Sequence, residues 1–215
     1  MSSGEDRSRL LVLWGASGHG KVVLDVGSSQ GSFDSIVFID DRYAEIGPYF
    51  MHCSVLGGQD ALPSLRGCSF LISIGDNAQR THCYATAISH GLVPTTLIHR
   101  TAIIAPSVVI GRGTVVMPGA TINVGAVVGD NCIINTGAIV EHDCRIADHV
   151  HISPRVALGG AVTVGNAAHV CIGAVVLPGV HIGDSAVVGA GSVVLKSVPH
   201  GTTVVGVPSR PLHSK

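Results

Sequence analysis

From Ile98 to Val194, a bulky aliphatic residue recurs at every sixth position without a break in register. Four positions after each of these comes a second series, from Ala102 to Val198, whose members are nearly all small. A period of six fits neither the 3.6-residue repeat of a helix nor the strict alternation of a half-buried strand. The pattern predicts a parallel β-solenoid in which three hexads close one triangular coil. Residues eighteen apart then stack on successive coils, about 4.8 Å from each other.

Before residue 98 the pattern changes to short apolar runs that are separated by turns and helix-like segments. The runs Leu10–Trp14, Ile36–Ile39 and Phe70–Ile74 are predicted to be strands, and Val55–Leu56 a shorter one. Residues 78–90 have a helical pattern. Strands that alternate with helices indicate a small parallel α/β unit, about half of a two-part dinucleotide-binding domain.

The break in pattern predicts two domains, residues 1–97 and residues 98–215. A formal net charge of -1 argues against nucleic acid and anionic membrane surfaces as partners. No apolar run approaches the ~20 residues that a membrane helix needs, and Leu10–Trp14 is too short for a signal-peptide core. The six cysteines include no Cys-x-x-Cys pair and are predicted to be reduced thiols. We therefore expect a cytoplasmic protein without membrane insertion.

A glycine-rich turn, Gly15–Lys21, follows the first predicted strand and precedes a helix-like segment that begins at Val22. Such a turn brings backbone N–H groups and a helix N-terminus towards a phosphate. Asp40 and Asp41 end the second strand, where carboxylates accept hydrogen bonds from ribose hydroxyls or a base edge. The spacing Gly-x-x-Gly-x-Gly differs from the dinucleotide fingerprint, so a turn without a ligand is the alternative. The unit has room for one nucleotide.

Acid–base groups are few in the solenoid but concentrated at Glu141, His142 and Asp143. An adjacent carboxylate, Asp143 by preference, is expected to hold the imidazole in one tautomer and make it a better base. The eighteen-residue period places Gly160 one coil above His142, so its backbone N–H is our candidate donor to a developing oxyanion. A solvated surface histidine without a catalytic task is the alternative.

Several motifs in combination resemble the hexapeptide-repeat acyltransferases that N-acetylate nucleotide-linked amino sugars. They are the glycine-rich turn, a Phe-Ile-Asp-Asp strand end, an Ile-Gly-Asp-Asn segment, the Glu-His-Asp-Cys hexad and the closing Gly-Val-Pro. The bacillosamine-pathway acetyltransferase and the sialic acid O-acetyltransferases are the nearest named relatives, and the resemblance covers nearly the whole chain. It implies a Rossmann-like half-domain followed by a left-handed parallel β-helix. It also implies acetyl-CoA as co-substrate, a nucleotide-linked amino sugar as acceptor and no metal.

The resemblance also implies roles for individual residues. His142 is the expected general base, Asp143 its supporting carboxylate and His151 a contact to acetyl-CoA. Asp143 departs from the bacillosamine enzyme, which has Glu there. The residues expected to bind the nucleotide sugar are Ser17, Gly18, His19, Asp40, Asp41 and Gly58.

The eighteen-residue period adds expectations about CoA and assembly. His142 and His151 are nine residues apart, half a coil, so within one chain they lie on different sides of the prism. If both act on one acetyl group they come from different chains, which predicts a homotrimer with active sites at subunit interfaces. Ile172, Gly173 and Ala190 lie round the corner from the column of His151 and are expected to line a groove for the CoA arm.

The expected reaction is acetyl transfer from acetyl-CoA to the amino group of a nucleotide-linked amino sugar. O-acetylation of a sugar hydroxyl, such as that of sialic acid, stays open, and so do the nucleotide and the position of the amine. A metal-dependent hydratase is a rival because His151 and His169 stack, but an obvious third ligand is lacking. A non-catalytic solenoid scaffold is a further rival, and it leaves His142 without a task.

Overall fold

The computed structural model describes residues 9–212 and divides the chain into two compact units, Met1–Arg100 and Thr101–Lys215. The elements of the first unit are β1 (Leu10–Trp14), α1 (Gly18–Gln30), β2 (Ser35–Ile39), α2 (Tyr43–Ile46), β3 (Tyr49–Phe50), β4 (Cys53–Ser54), a 3₁₀ helix (Gln59–Leu65), β5 (Ser69–Ile72), α3 (Asn77–Ser89), β6 (Val93–Pro94) and β7 (Leu97–Ile98). Four of the strands form a parallel sheet in the order β2-β1-β5-β6.

Strand β1 lies inside this sheet and is buried on both faces, as its unbroken apolar sequence predicts. On one face Val12 and Trp14 pack in a cluster with Tyr84 and Ala87 of α3. On the other face Leu11 lies against α1, close to the Cα of Gly27. The predicted parallel α/β half-domain is therefore confirmed.

The predicted strand at Val55–Leu56 is only partly formed. The strand at this point is β4, which pairs antiparallel with β3. Val55 makes only an isolated parallel bridge with Phe38, and Leu56 is exposed. The N–H of Leu56 donates to the carbonyl of Phe38 at 2.9 Å, but the backbone turns at Gly57, which has a φ of 131°, so the pairing with β2 stays limited to this bridge.

The second unit is a β-solenoid whose strands are two residues long and form three parallel sheets. The face that we call the histidine face consists of β10 (Val115–Val116), β13 (Ile133–Ile134), β16 (His151–Ile152), β19 (His169–Val170) and β22 (Val187–Val188). The aliphatic face consists of β8 (Ile103–Ile104), β11 (Thr121–Ile122), β14 (Ile139–Val140), β17 (Ala157–Leu158), β20 (Val175–Val176) and β23 (Val193–Val194). The third face consists of β9 (Val109–Ile110), β12 (Val127–Val128), β15 (Arg145–Ile146), β18 (Thr163–Val164) and β21 (His181–Ile182).

The register of the solenoid is the predicted one. Paired residues on successive coils are eighteen apart, for example Ile133 with His151 and Ile139 with Ala157. The sixth-residue aliphatic series is buried from Val116 to Val194. At the C-terminal end, β24 (Thr203–Val205) joins the histidine face and pairs antiparallel with β25 (Arg210–Pro211).

The corners of the solenoid carry a left-handed backbone residue at every sixth position. From Gly113 to Gly191 these residues have φ between 54° and 74°, and half of them are not glycine. From Asn131 onwards, each N–H donates to the carbonyl nineteen residues earlier, as in the 3.0 Å bond from Asp143 to Val124. This hydrogen bond to the coil below offsets the strain that left-handed backbone imposes on residues with a Cβ.

Among residues 9–212, no helix combines the length and the apolar character that a bilayer crossing requires.

Candidate active site

His142 and Asp143 form a hydrogen-bonded pair at the corner between the aliphatic face and the third face. Nδ1 of His142 lies 2.9 Å from Oδ2 of Asp143, and the two side chains are 58% and 63% exposed. An ionised carboxylate only accepts hydrogen bonds, so Nδ1 carries the ring proton in the neutral imidazole. The lone pair of Nε2 is then left to accept a proton from another molecule.

Two glycines border this pair, one on the coil above and one on the coil below. A Cβ placed on Gly160 would lie 2.4 Å from Nε2 of His142, and one placed on Gly125 would lie 2.5 Å from Oδ1 of Asp143. His142 itself and Pro178 occupy the position of Gly160 on the coils below and above, so the backbone at this position accepts a side chain. The imidazole of His142, rather than the backbone, is what requires glycine at 160.

The backbone N–H of Gly160 donates no hydrogen bond to any residue of the described chain. Its carbonyl, in contrast, accepts a 2.9 Å bond from the N–H of Gly179. A donor without a partner beside a histidine base is the arrangement in which a developing negative oxygen gains a hydrogen bond.

Cys144 follows the pair in sequence but faces the core. Its Sγ donates to the carbonyl of Gly159 at 3.2 Å. Burial raises the pKa of the Cys144 thiol, and the nearby carboxylates of Glu141 and Asp143 add to the increase. The thiol therefore stays protonated and is poorly suited to act as a nucleophile.

His151 lies on the histidine face and is only 8% exposed. Its ring stacks on that of His169 with centroids 4.6 Å apart and planes inclined by 4°. Nδ2 of Asn135 lies 3.1 Å from Nε2 of His151, while Oδ1 of Asn135 accepts from the N–H of Thr136. Intrachain neighbours thus cover most of His151, and Asn135 fixes its Nε2 as an acceptor, a role that the sequence analysis did not predict.

The predicted CoA-groove residues lie at the corner between the histidine and aliphatic faces. Ile172 is 55% exposed, and Gly173 and Ala190 are exposed beside it. The aliphatic face lies between this corner and the one that carries His142. The structure therefore brings Gly160 to His142 but leaves His151 and the three groove residues elsewhere on the prism of the same chain.

The stacked His151 and His169 are two residues of a type that binds metal ions. Within residues 9–212, no group of three or more His, Cys, Asp or Glu side chains is arranged to hold a metal ion. Nε2 of His169 lies 2.8 Å from Oγ of Ser153, so this nitrogen is hydrogen-bonded within the protein, as Nε2 of His151 is to Asn135.

The first unit has a pocket of about 390 Å³ at the carboxyl ends of its strands. Ligands of open parallel sheets commonly bind at this edge. Ser17 is the N-cap of α1, and its side chain makes no capping hydrogen bond. The lining residues are Trp14, Gly15, Ser17, Asp40, Asp41, Arg42, Ile74 and Gln79.

Asp40 is buried in the pocket wall and is occupied by protein hydrogen bonds. Oδ2 accepts from the N–H of Ala16 at 2.9 Å, and Oδ1 accepts from the N–H of Arg42 at 2.9 Å. The guanidinium of Arg42 adds two longer contacts to the carboxylate. Burial opposes ionisation, but these donors outweigh it and lower the pKa of Asp40. Asp40 therefore holds the glycine-rich turn and presents Arg42, which the sequence analysis missed.

The remaining predicted nucleotide-sugar residues lie around this edge in different settings. Oδ1 of Asp41 accepts from the N–H of Gln59 at 2.8 Å, and a Cβ on Gly58 would lie 2.7 Å from the same oxygen. Gly18 is exposed, and a Cβ there would meet no other group within 4 Å. Gly18, His19 and Gly58 are absent from the pocket lining.

His19 is held in its neutral form. Burial lowers the pKa of His19 to about 4, and the positive charge of Arg80 contributes. The guanidinium of Arg80 is itself buried and donates to the carbonyl of Gly75 at 3.2 Å and to Oδ1 of Asn77 at 2.7 Å. A buried arginine behind the turn was not predicted, because its sequence position on α3 resembles that of an ordinary surface residue.

Comparison with known proteins links both units to one kind of enzyme. The family model described as the PglD N-terminal domain matches residues 10–87, and the bacterial transferase hexapeptide model (six repeats) matches residues 125–160. A histidine-to-asparagine variant of perosamine N-acetyltransferase from Caulobacter crescentus, in complex with CoA and GDP-perosamine, is 38% identical, with a TM-score of 0.90. That match covers 95% of this chain and 97% of the other.

Two further solved structures are also similar to this chain over nearly its whole length. The acetyltransferase domain of PglB from Neisseria gonorrhoeae FA1090, in complex with acetyl coenzyme A, is 36% identical with a TM-score of 0.91 and covers 95% of this chain and 100% of the other. WeeI from Acinetobacter baumannii AYE is 27% identical with a TM-score of 0.75 and covers 94% and 99%. The chain belongs to the hexapeptide-repeat sugar acetyltransferase family.

Membership of the hexapeptide-repeat sugar acetyltransferase family confirms the predicted resemblance. The hexapeptide match begins at Gly125 and ends at Gly160, so it spans the histidine pair and both bordering glycines. The match to the PglD N-terminal domain covers every residue that lines the first-unit pocket.

Proposed function

We propose that this protein transfers the acetyl group of acetyl-CoA to the amino group of a nucleotide-linked amino sugar. The observation that carries the proposal is the 2.9 Å bond between His142 and Asp143, which leaves Nε2 as a base on an exposed corner. Relatives that span nearly the whole chain support it, since one is a perosamine N-acetyltransferase bound to CoA and GDP-perosamine.

In this mechanism Nε2 of His142 accepts a proton from the sugar amine while the nitrogen attacks the thioester carbonyl carbon. The N–H of Gly160 donates to the carbonyl oxygen as negative charge develops on it. The C–S bond then breaks, and the sulfur leaves as the CoA thiol after taking the proton from the imidazolium. General-base catalysis of this kind contributes about 10²–10⁴-fold in rate. Asp143 holds the imidazole in the tautomer that the first step needs.

The first-unit pocket is the proposed nucleotide site. The N-terminus of α1, with Ser17 and Gly18, is suited to the negative charge of a phosphate. Asp41 and the guanidinium of Arg42 offer an acceptor and donors to the ribose or the base. In this proposal Asp40 holds the glycine-rich turn and Arg42 in place. His19 and Gly58 support the wall of the first-unit pocket.

We propose acetyl-CoA binding by Ile172, Gly173, Ala190 and the exposed part of His151. A half-exposed isoleucine beside small residues suits the thin, partly apolar arm of CoA. Because His142 lies at the other corner of the aliphatic face, the proposal requires neighbouring chains, and a homotrimer is the closed arrangement with equivalent grooves. The aliphatic face supports this assembly, since its outward residues Ile103, Ile139 and Val175 are exposed and apolar.

The reaction is tested with a panel of nucleotide-linked amino sugars and acetyl-CoA, following release of free thiol. We expect turnover with at least one amino sugar and a product that carries an amide. Turnover with free sialic acid and with no amino sugar would identify an O-acetyltransferase and overturn the proposal. Sugar nucleotides that have a hydroxyl in place of the amine are the matched control substrates.

The assembly is tested by mixing an inactive His142→Ala protein with a His151 variant that does not turn over. Trimers that exchange subunits then contain some intact grooves, so partial activity is expected. Mixtures that exchange subunits, as shown by mass spectrometry, yet stay inactive would contradict the shared site. We also propose a cytoplasmic location, because none of the six cysteines, all of which lie within residues 9–212, takes part in a disulfide bond, as is usual in a reducing compartment.

A further inference from the structure

We propose that Gly125 is a positioning residue for the His142–Asp143 pair. Only glycine at this corner leaves room for the carboxylate that orients the imidazole. The inference rests on the proposed function, because it gives Gly125 a task in the general-base step.

Gly125 lies directly below Asp143, eighteen residues earlier in the chain. A Cβ on Gly125 would lie 2.5 Å from Oδ1 of Asp143 and 3.5 Å from its Cγ. Carbon and oxygen do not approach so closely without displacement, because such a distance is well inside van der Waals contact. The other oxygen of the same carboxylate, Oδ2, holds Nδ1 of His142, so a displacement of the carboxylate changes that hydrogen bond directly.

The backbone of Gly125 is anchored on both sides of its peptide. Its N–H donates to Oγ of Ser107 at 3.1 Å, and its carbonyl accepts from Nη1 of Arg145 at 2.6 Å. Asp143 is anchored by its own N–H, which donates to the carbonyl of Val124. The exposed carboxylate is therefore the group that moves when a side chain is added at 125.

Gly119 provides a matched control at another corner of the prism. Its φ is 67°, against 74° for Gly125, and its N–H donates to Oγ1 of Thr101 at 3.2 Å. The residue one coil above it is Gly137, and a Cβ on Gly119 would meet nothing within 4 Å. Alanine at 119 and alanine at 125 therefore share the left-handed strain but differ in the contact with a carboxylate.

The activity test compares Gly125→Ala with Gly119→Ala. We expect kcat of Gly125→Ala to fall by about tenfold to a hundredfold, since small displacements of a catalytic group have effects of this size. The KM values for both substrates should stay within about twofold, because the change affects the base rather than binding. Gly119→Ala should keep the parent kcat while its melting temperature falls as much as that of Gly125→Ala. Equal kcat values for the two variants would overturn the proposal.

A double-mutant cycle tests whether Gly125 acts through Asp143. Asp143→Gly removes the carboxylate and with it the clash, so adding Gly125→Ala to that variant should change kcat by less than about twofold. A loss in the double variant equal to that in the parent background would mean that Gly125 acts by another route. If alanine at 125 prevents folding, Gly125→Asn and Gly119→Asn replace the pair, because asparagine tolerates left-handed backbone.

A spectroscopic test does not depend on turnover. In ¹⁵N-labelled protein, the signals of His142 are identified by their loss in His142→Ala. The parent should have the Nδ1–H tautomer, and Gly125→Ala should shift the ring towards Nε2–H, while Gly119→Ala should not. An unchanged tautomer in Gly125→Ala refutes the positioning role. Absence of acetyl transfer by the parent protein refutes the proposed function instead, and the two failures are thereby distinguished.

Discussion

Nδ1 of His142 lies 2.9 Å from Oδ2 of Asp143, although the backbone of Asp143 is left-handed, with a φ of 60°. Aspartate is among the few residue types other than glycine that favour this conformation. The corner and the hydrogen bond therefore select the same residue type. The short side chain also keeps the carboxylate beside the ring of its immediate neighbour.

Replacing the proposed base should abolish most of the activity. We expect His142→Asn to reduce kcat by about 10²–10⁴-fold with little change in affinity for acetyl-CoA, because proton transfer is lost while the corner is kept. Steady-state assays of thiol release provide the measurement. His181→Asn is the control, since His181 is an exposed histidine on the third face. Activity of His142→Asn within a few-fold of the parent removes His142 from the mechanism.

Adding a methyl group at Gly160 should displace the imidazole. We expect Gly160→Ala to lower kcat by about a hundredfold, because the new Cβ competes for the space of Nε2. It should also lower the melting temperature. In a His142→Ala background the ring is gone, so the same substitution should leave the melting temperature unchanged. An equal loss of stability in both backgrounds would show that the backbone, and not His142, requires glycine.

The stability of the first unit should depend on pH through His19. The folded state lowers the pKa of His19 from 6.5 to about 4, so between these values the unfolded chain binds the proton first. The free energy of unfolding should therefore fall by up to about 3 kcal/mol as the pH drops from 6.5 to 4. Trp14, the one tryptophan in the chain, reports unfolding of this unit by fluorescence.

The variant His19→Gln isolates this contribution. Its free energy of unfolding should change less than that of the parent between pH 7 and pH 4.5. Curves that stay parallel over this range would mean that His19 is protonated in the folded protein as readily as in the unfolded chain.

Asp40→Asn should weaken both the turn and substrate binding. Asparagine keeps only one of the two oxygens that accept from the N–H groups of Ala16 and Arg42, so one of these donors loses its buried acceptor, which should cost about 1–3 kcal/mol in the free energy of unfolding. The KM for the sugar nucleotide should rise, while that for acetyl-CoA stays the same. Asp34→Asn is the matched control, because Asp34 is an exposed carboxylate on the same unit. An unchanged KM in Asp40→Asn would limit Asp40 to a structural role.

The architecture of the solenoid followed from sequence because one period specifies both the core and the register. The aliphatic residues from Val116 to Val194 all face inwards, and a slip of one residue would expose the whole series. The left-handed corners did not follow, because the same position holds glycine at 125 but arginine at 155. What these corners share is the backbone hydrogen bond to the coil below, and no particular residue type predicts that bond.

The pair at His142 and its closeness to Gly160 could likewise be predicted, since sequence adjacency and the eighteen-residue period determine both. The roles of Asp40 and Arg80 could not be predicted from the sequence. Asp40 was expected to face a ligand, but one of its oxygens accepts from Arg42, and the other accepts from Ala16, a residue distant in sequence that only the folded sheet brings close. Arg80 is buried by tertiary packing around the turn, for which its helical neighbours give no signal.

Because Gly125, Asp143 and Gly160 occupy three successive coils, the site has a fixed height along the solenoid, while the solenoid itself has no fixed length. A whole coil of eighteen residues added at the C-terminal end of the solenoid leaves the contacts of the His142–Asp143 pair in place, whereas removal of the coil below Gly125 would take away Ser107, which accepts from the N–H of Gly125. The same eighteen residues inserted between Gly125 and Asp143 would place a different residue directly below the aspartate. The solenoid of this chain can therefore be lengthened at its end without disturbing the pair, whereas the coils from Gly125 to Gly160 tolerate no change of length.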